Sequence, residues 1–376
     1  MATKHKQATK IWLVLLGVLA GVVVLEIGAR LWLERFATQG QVERYGLYTD
    51  IAGSDFQYSP HPYLNYYPTP GYEDGLRSHN DLGFRGDPFP LEKPPGEFRI
   101  VVLGGSTTYT SVVEDNRETF PARLGQILQE QYGQDAVRVI NAGVPGYTSW
   151  ESLANLAFRV IALNPDLVVV YHGTNDVHAR IVLADSYSSD NTGKVRAWSP
   201  PGVPWFEHSA ILRLISRRMG ITRQVALGDF IESDHYRAPR YVSRSYDPQD
   251  LDPENFEFGF LKDNPPVYFE QNLRSMVALA REHGFDILLA SWAHSPHFDD
   301  YAATPLYRQG FRENNATVAR VSAETGAHFF DFAAEMPQDP DYWADGRHVN
   351  ALGALVKAEL FAEFIVWAGL LGASSP

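Results

Sequence analysis

Four short polar blocks in this 376-residue chain hold residue types that acyl chemistry needs. They are Gly104-Gly105-Ser106-Thr107-Thr108, Asn141-Ala142-Gly143-Val144-Pro145-Gly146, Gly173-Thr174-Asn175-Asp176 and Asp345-Gly346-Arg347-His348. Together they supply a hydroxyl, backbone N–H groups that glycine leaves accessible, a side-chain amide, and a carboxylate–imidazole pair. That inventory suits nucleophilic attack on an acyl carbon. Taken singly, the blocks have ordinary readings. Ser106 could be a helix N-cap, and Asp345–His348 an Asp-Gly turn with a surface histidine.

Position is what distinguishes them, because each block follows a predicted strand. RIVVLGG, VRVINAG, DLVVVYHGTND, DILLASW and AHFFDF are short apolar runs, the third of them rich in valine as strands buried on both faces are. Between them the spacing predicts helices at Glu118–Tyr132, Ser149–Leu163, Val267–His283, around Pro305–Thr325, and from about Asn350. Strands alternating with helices imply right-handed crossovers and a parallel sheet covered on both faces. The expected fold is a flavodoxin-like three-layer α/β/α sandwich with a five-stranded parallel sheet, preceded by one N-terminal transmembrane helix. Ligands bind beyond the carboxyl ends of such strands, so the polar blocks should converge there. Residues 36–97, rich in Tyr, Pro, Gly and Asn, lack any period and read as an extended arm wrapping the core. The hydrolase domain then covers 98–376, with an aperiodic insertion at 182–266. The insertion starts at the active-site edge and is expected to flank the site, with Trp198, Trp205 and Phe206 as apolar walls.

These blocks, in this order, resemble the SGNH (GDSL-type) hydrolase family. Gly104-Gly105-Ser106 is a variant of the family's Gly-Asp-Ser, and Gly146 corresponds to the second block's glycine. Gly173-Thr174-Asn175-Asp176 matches Gly-x-Asn-Asp, and Asp345-Gly346-Arg347-His348 matches Asp-x-x-His. The resemblance covers about 98–180 and 267–370 and extends to membrane-anchored bacterial members. It implies Ser106 as nucleophile, His348 as the base that takes its proton, and Asp345 as the partner fixing the imidazole tautomer. The oxyanion donors it implies are the N–H of Ser106, the N–H of Gly146 and the amide of Asn175. Asp176 reads better as a loop brace than as a catalytic acid.

Other features point elsewhere with less force. His294 and His297 follow the fourth strand and could line the site, but two histidines without a third ligand make a poor metal site. Asp247, Asp250, Asp252 and Glu254 lack the glycine pivot of a calcium loop. The Gly104–Thr108 block lacks the lysine of a phosphate loop. No metal or organic cofactor is expected.

Composition bounds the rest. The chain has 45% hydrophobic residues, a formal charge of −13 and no cysteine, which excludes disulfides, a thiolate site and a cysteine nucleophile. Such an acidic balance does not suit nucleic acid. Lys4, Lys6 and Lys10 precede the apolar run Ile11–Leu25, and Ile27–Leu33 continues it past Glu26 and around Arg30. Fifteen residues span only about 22 Å as a helix, but the 23 of Ile11–Leu33 suffice to cross a bilayer. Residues 1–35 therefore read as a cytoplasmic tail and an uncleaved single-pass anchor in a bacterial cytoplasmic membrane, with the catalytic domain extracytoplasmic. A cleaved signal peptide is the alternative, and no good small-x-small cleavage site follows the run. Without the five Lys/Arg and two Asp/Glu of residues 1–35, the remainder carries −16. The expected function is a serine esterase acting on acyl esters, O-acetyl included, of extracytoplasmic glycans or lipids. An O-acyltransferase using the same site and an inactive glycan-binding module are the alternatives, and oligomeric state is open.

Overall fold

Alternating side chains along five apolar runs build the centre of the protein. In the strand Phe98–Gly104, Ile100 and Val102 enter one buried cluster, while Val101 and Leu103 enter the other. The same alternation runs through Leu167–Tyr171 and Asp286–Ala290, so both faces of the sheet are core. The structure, a computed structural model, describes residues 2–47, 56–235 and 256–372. The acidic run Asp247–Glu254 lies outside the described residues.

The chain packs as two units, one of residues 1–57 with 199–230, the other of 58–198 with 231–376. The insertion expected at 182–266 is thus divided between them. The first unit is helical. One helix runs from Ala2 to Arg35 and contains an apolar stretch, Lys10–Arg35, long enough to cross a membrane. A short helix, Gln39–Tyr45, starts at a reciprocal Thr38–Gln41 capping box. The helix Ala210–Arg218 is capped by Ser209.

The second unit opens with two small antiparallel hairpins, β1 (Tyr58–His61) with β2 (Asn65–Pro68), and β3 (Glu73–Asp74) with β4 (Arg77–Ser78). The parallel sheet follows: β5 (Phe98–Gly104), β6 (Val137–Gly143), β7 (Leu167–Tyr171), β8 (Asp286–Ala290) and β9 (His328–Phe330). Its order, β6-β5-β7-β8-β9, is the flavodoxin-like one expected. On one face lie the helices Phe120–Glu130 and Ala351–Trp367. On the other lie Val267–His283 and the rod beginning at Ser149–Asn155. That rod continues to Leu163 through a wider π-type turn and a tight final turn, so the expected Ser149–Leu163 helix is continuous but not uniform.

Two strands are shorter than their apolar runs. After Ala290 the ladder yields to side chains: Ser291 Oγ donates to Asp331 at 2.7 Å, and Trp292 N–H donates to Asn315 Oδ1 at 2.7 Å. On β9, Asp331 and Phe332 turn instead into the short helix Phe332–Glu335.

Candidate active site

Strand β5 ends at Gly104, and after Gly105 the chain turns into a helix of one turn, Ser106–Tyr109. Ser106 therefore stands at the carboxyl edge of the sheet, and its N–H belongs to a first turn that has no intrahelical acceptor. Strand β7 delivers its neighbour: the helix Thr174–Arg180 begins one residue past Gly173 and carries Asn175. The two loops touch. A Cβ on Gly105 would lie 2.7 Å from Asn175 Nδ2 and 3.3 Å from Tyr147 O, so only glycine permits this approach. Gly146, in the loop after β6, has φ +85°, a left-handed conformation that glycine adopts without strain.

The last block completes the group. His348 Nε2 lies 2.8 Å from Ser106 Oγ, and His348 Nδ1 lies 2.8 Å from Asp345 Oδ2. With Nδ1–H donating to the carboxylate, Nε2 is left to accept the serine proton. The other oxygen of Asp345 accepts the N–H groups of Arg347 and His348, each at 2.8 Å. Burial pushes the Asp345 carboxyl up. The hydrogen bond and charge of His348 and the two backbone donors outweigh it, and the pKa falls below the usual carboxylate range. Asp345 is therefore an ionised, fully engaged acceptor. The turn holding the pair is tied down by Asp300, which accepts Gly346 N–H at 2.8 Å. Arg347 adds a stacking contact, its guanidinium 4.1 Å from the Tyr301 ring centre.

Asn175 donates one amide hydrogen to Tyr147 O at 2.8 Å, which fixes its plane and leaves the second hydrogen for an incoming oxygen. A small pocket between Gly105–Thr107, Gly173–Asn175 and Trp292 adjoins Ser106. Asp176 is a brace. Its Oδ1 accepts Ser149 N–H at 2.9 Å and the Ser149 hydroxyl at 2.6 Å, and burial pushes its carboxyl up to about 7. His172 lies 3.5 Å from Asp176 Oδ2, but burial lowers this imidazole to about 3. The neighbour is neutral, so this is a polar contact rather than an ion pair.

The structure thus brings Ser106, His348, Asp345 and Asn175 together. The other expected side chains have the following surroundings. His294 packs on Phe311 at 4.9 Å in a separate depression with Arg308 and Arg312, and burial lowers it to about 4. His297 is exposed. Trp198 stands 6.2 Å from Tyr66, ring centre to ring centre. Trp205 and Phe206 belong to the unit of the N-terminal helix, where Trp205 is 83% exposed. Among the described residues no three His, Asp or Glu side chains converge as a metal site would require.

Three supports went unread in the sequence. Lys357 is fully buried, its Nζ 3.6 Å from the Tyr171 ring centre and 4.3 Å from that of Phe120, and it donates to Thr107 O at 3.3 Å. Burial drives this ammonium well below the usual lysine range. Its signal was a lone lysine within GALVKAELFAEF. Arg180, also buried, ends the Asn175 helix and donates to Asn264 O at 2.7 Å and to Asn314 at 3.2 Å. Arg85 donates to four carbonyls just past the Ser106 helix or at its end: Tyr109, Thr110, Val113 and Glu114, at 2.7–3.0 Å.

Comparison with known proteins follows from this geometry. No curated protein matches the chain. Among solved structures it is similar to a GDSL-like lipase from Bacteroides thetaiotaomicron, at 17% identity over 74% of this chain and 92% of that one, with a TM-score of 0.41. A lipase/acylhydrolase from Enterococcus faecalis is similar at 17% identity, over 72% and 96% of the two chains, with a TM-score of 0.42. An acetyl xylan esterase from Geobacillus stearothermophilus is similar at 16% identity, over 73% and 94%, with a TM-score of 0.41. The family model of the GDSL-like lipase/acylhydrolases matches residues 102–356, from within β5 to the last helix, and the chain belongs to that family of serine esterases.

Proposed function

We propose that the protein hydrolyses an acyl ester through an acyl-enzyme on Ser106. The continuous Ser106–His348–Asp345 relay, with both contacts at 2.8 Å, carries this reading. His348 Nε2 takes the hydroxyl proton as Ser106 Oγ attacks the acyl carbon, and ionised Asp345 stabilises the resulting imidazolium. The N–H groups of Ser106 and Gly146 and the amide of Asn175 receive the charge on the former carbonyl oxygen. Collapse expels the alcohol, which takes the proton from His348. Water then repeats the sequence against the acyl-enzyme. The apolar N-terminal helix supports an anchor, with residues 36–376 outside the cytoplasm and esters of envelope glycans or lipids as substrates.

Labelling with a fluorophosphonate tests the chemistry. The adduct should map to Ser106 and vanish in folded Ser106→Ala protein, with kcat lowered on the order of 10⁴–10⁶. His348→Ala should cost about as much, and the double variant barely more. Wild-type esterase activity in folded Ser106→Ala protein would refute the mechanism. A panel of esters from acetate to long acyl chains sorts the substrates, and glycan acceptors reveal any transfer. Protease added to spheroplasts should digest the large domain, whereas protection would reverse the orientation.

A further inference from the structure

The helix Ala210–Arg218 is built inside out. Its inward face is polar: Arg213 and Ser216 are buried, and Arg213 Nε donates to Tyr45 O at 2.5 Å. Arg217 donates to Arg44 O at 2.6 Å and pairs with buried Glu207 at 2.8 Å. Its outward face is apolar. Leu212, Ile215 and Met219 follow one another at helical spacing, 45%, 48% and 69% exposed. Ile221, 65% exposed, and Trp205, 83% exposed, flank them. A helix on a water-facing surface shows the reverse arrangement.

The same helix is fastened to the apolar N-terminal helix. Glu26, the one acidic residue between Ile11 and Leu33, accepts Ala210 N–H and the Ser209 hydroxyl at 2.8 Å, and Ile211 N–H at 3.1 Å. Arg30 bonds Glu26 at 2.8 Å and His208 O at 2.7 Å. The two charges that interrupt the apolar run are thereby engaged with the first turn of Ala210–Arg218 and the residues before it. The helix with this exposed apolar face and the N-terminal helix, which also exposes apolar residues, belong to one unit.

We propose that residues 205–221 are a membrane foot. The Ala210–Arg218 helix lies in the bilayer interface, beside the Glu26–Arg30 turn that interrupts the apolar run near its outer end. Leu212, Ile215, Met219 and Ile221 enter the acyl boundary, Trp205 sits at headgroup level, and exposed Arg218 faces lipid phosphates. The occupant is phospholipid because the surface adjoins a bilayer-spanning segment. The inference rests on reading Ile11–Leu33 as that span, and it gives Trp205 to lipid rather than to the ester.

The chain has no cysteine, so single-cysteine variants of the full-length protein report local environment. Leu212→Cys, Ile215→Cys and Met219→Cys, with Leu19→Cys in the span as control, are labelled with a nitrobenzoxadiazole fluorophore. Each is reconstituted into phosphatidylcholine vesicles with or without nitroxide-bearing acyl chains. All four labels should lose emission to the lipid nitroxide and resist aqueous iodide. Lipid quenching at Leu19 with iodide quenching at the other three overturns the foot and leaves the anchor standing. Iodide quenching at Leu19 removes the anchor reading itself, and the foot with it. Labels at 212, 215 and 219 shielded from both quenchers show a protein covering, such as a second copy, and also overturn the foot.

Discussion

The arm at 58–97 and the segment at 199–230 use the same device on different targets. Each buries arginines and turns them onto backbone carbonyls: Arg85 onto Tyr109, Thr110, Val113 and Glu114, Arg213 onto Tyr45 and Glu207. The arm's targets are the loops of the candidate site. Tyr66 OH donates to Pro145 O at 2.7 Å, next to Gly146, and receives at its carbonyl the hydroxyl of Tyr147. His79, lowered to about 4 by burial, is neutral, donates Nδ1–H to Thr69 O, and accepts the Tyr109 hydroxyl at 2.7 Å. The targets of the 199–230 segment lie at 44–46 and 207, in the unit of the N-terminal helix. An aperiodic segment's partner is therefore set by which orphan carbonyls its long polar side chains satisfy. The two regions are a brace for chemistry and, on our proposal, a brace for a membrane.

Within this comparison, the largest expected effect on catalysis lies at the far end of the arm's chain of bonds. Asn175 donates to Tyr147 O, and Tyr147 holds the arm. Asn175→Ala should lower kcat by roughly 10²–10³ with KM nearly unchanged, because the oxyanion forms only in the transition state. Steady-state kinetics on a soluble ester decide this. An effect confined to KM would assign Asn175 to ground-state binding.

Next comes a matched pair. Arg85 stays charged, lowered by burial only to about 10, and serves several acceptors. Arg85→Ala strands those carbonyls and should cost about 3–5 kcal/mol in stability, with a fall in kcat. Arg213→Ala should also destabilise but leave kcat on a soluble ester unchanged. Denaturant unfolding and kinetics on both variants test the contrast, and an equal loss of kcat in the two would break it.

Where the insertion leaves the core, pH is the probe. Burial raises Asp176 to about 7 in the folded protein, against about 3.9 for an unperturbed carboxyl. Between these values the folded protein holds a proton that the unfolded chain has released. The stability this group contributes is full below about pH 4 and is lost as pH rises through about 7. Asp176→Asn keeps the Oδ1 acceptor for Ser149 but carries no proton to lose. From pH 4 to pH 8 the variant should gain on the wild type by on the order of 2–4 kcal/mol. Urea unfolding at both pH values measures the gain, and a constant difference would show Asp176 ionised throughout.

The sheet was legible because every strand is an apolar run bounded by polar loops, and parallel strands must be covered on both faces. The Ser106 and Asn175 blocks were legible because each follows such a run directly, and topology carries them to one edge. The His348 block, beyond the helix Phe332–Glu335, was legible from its Asp-x-x-His spacing. The supports were not. Lys357 reads like one polar position of a helix until the rings around it are known. Tyr66, His79 and Arg85 act through side chain-to-backbone bonds, which leave no period in a sequence. The helix Ala210–Arg218 falls in a segment read as aperiodic, and its amphipathic pattern alone would not say which face is buried.

The smallest effect separates bracing from mere packing. Tyr66→Phe keeps the ring, buried to 1% exposure against Tyr147 at 5.3 Å, and removes only the hydroxyl that meets Pro145 O. One buried hydrogen bond is worth about 1 kcal/mol net, so the unfolding midpoint should move only slightly. Pro145 precedes Gly146, whose N–H is a proposed oxyanion donor, and loosening that loop weakens a contact made chiefly in the transition state. The loss should therefore fall on kcat, a few-fold, rather than on KM, and should not grow with acyl chain length. A lost stability of similar size with kcat unchanged would make Tyr66 a packing residue alone, and the arm a cover rather than a brace.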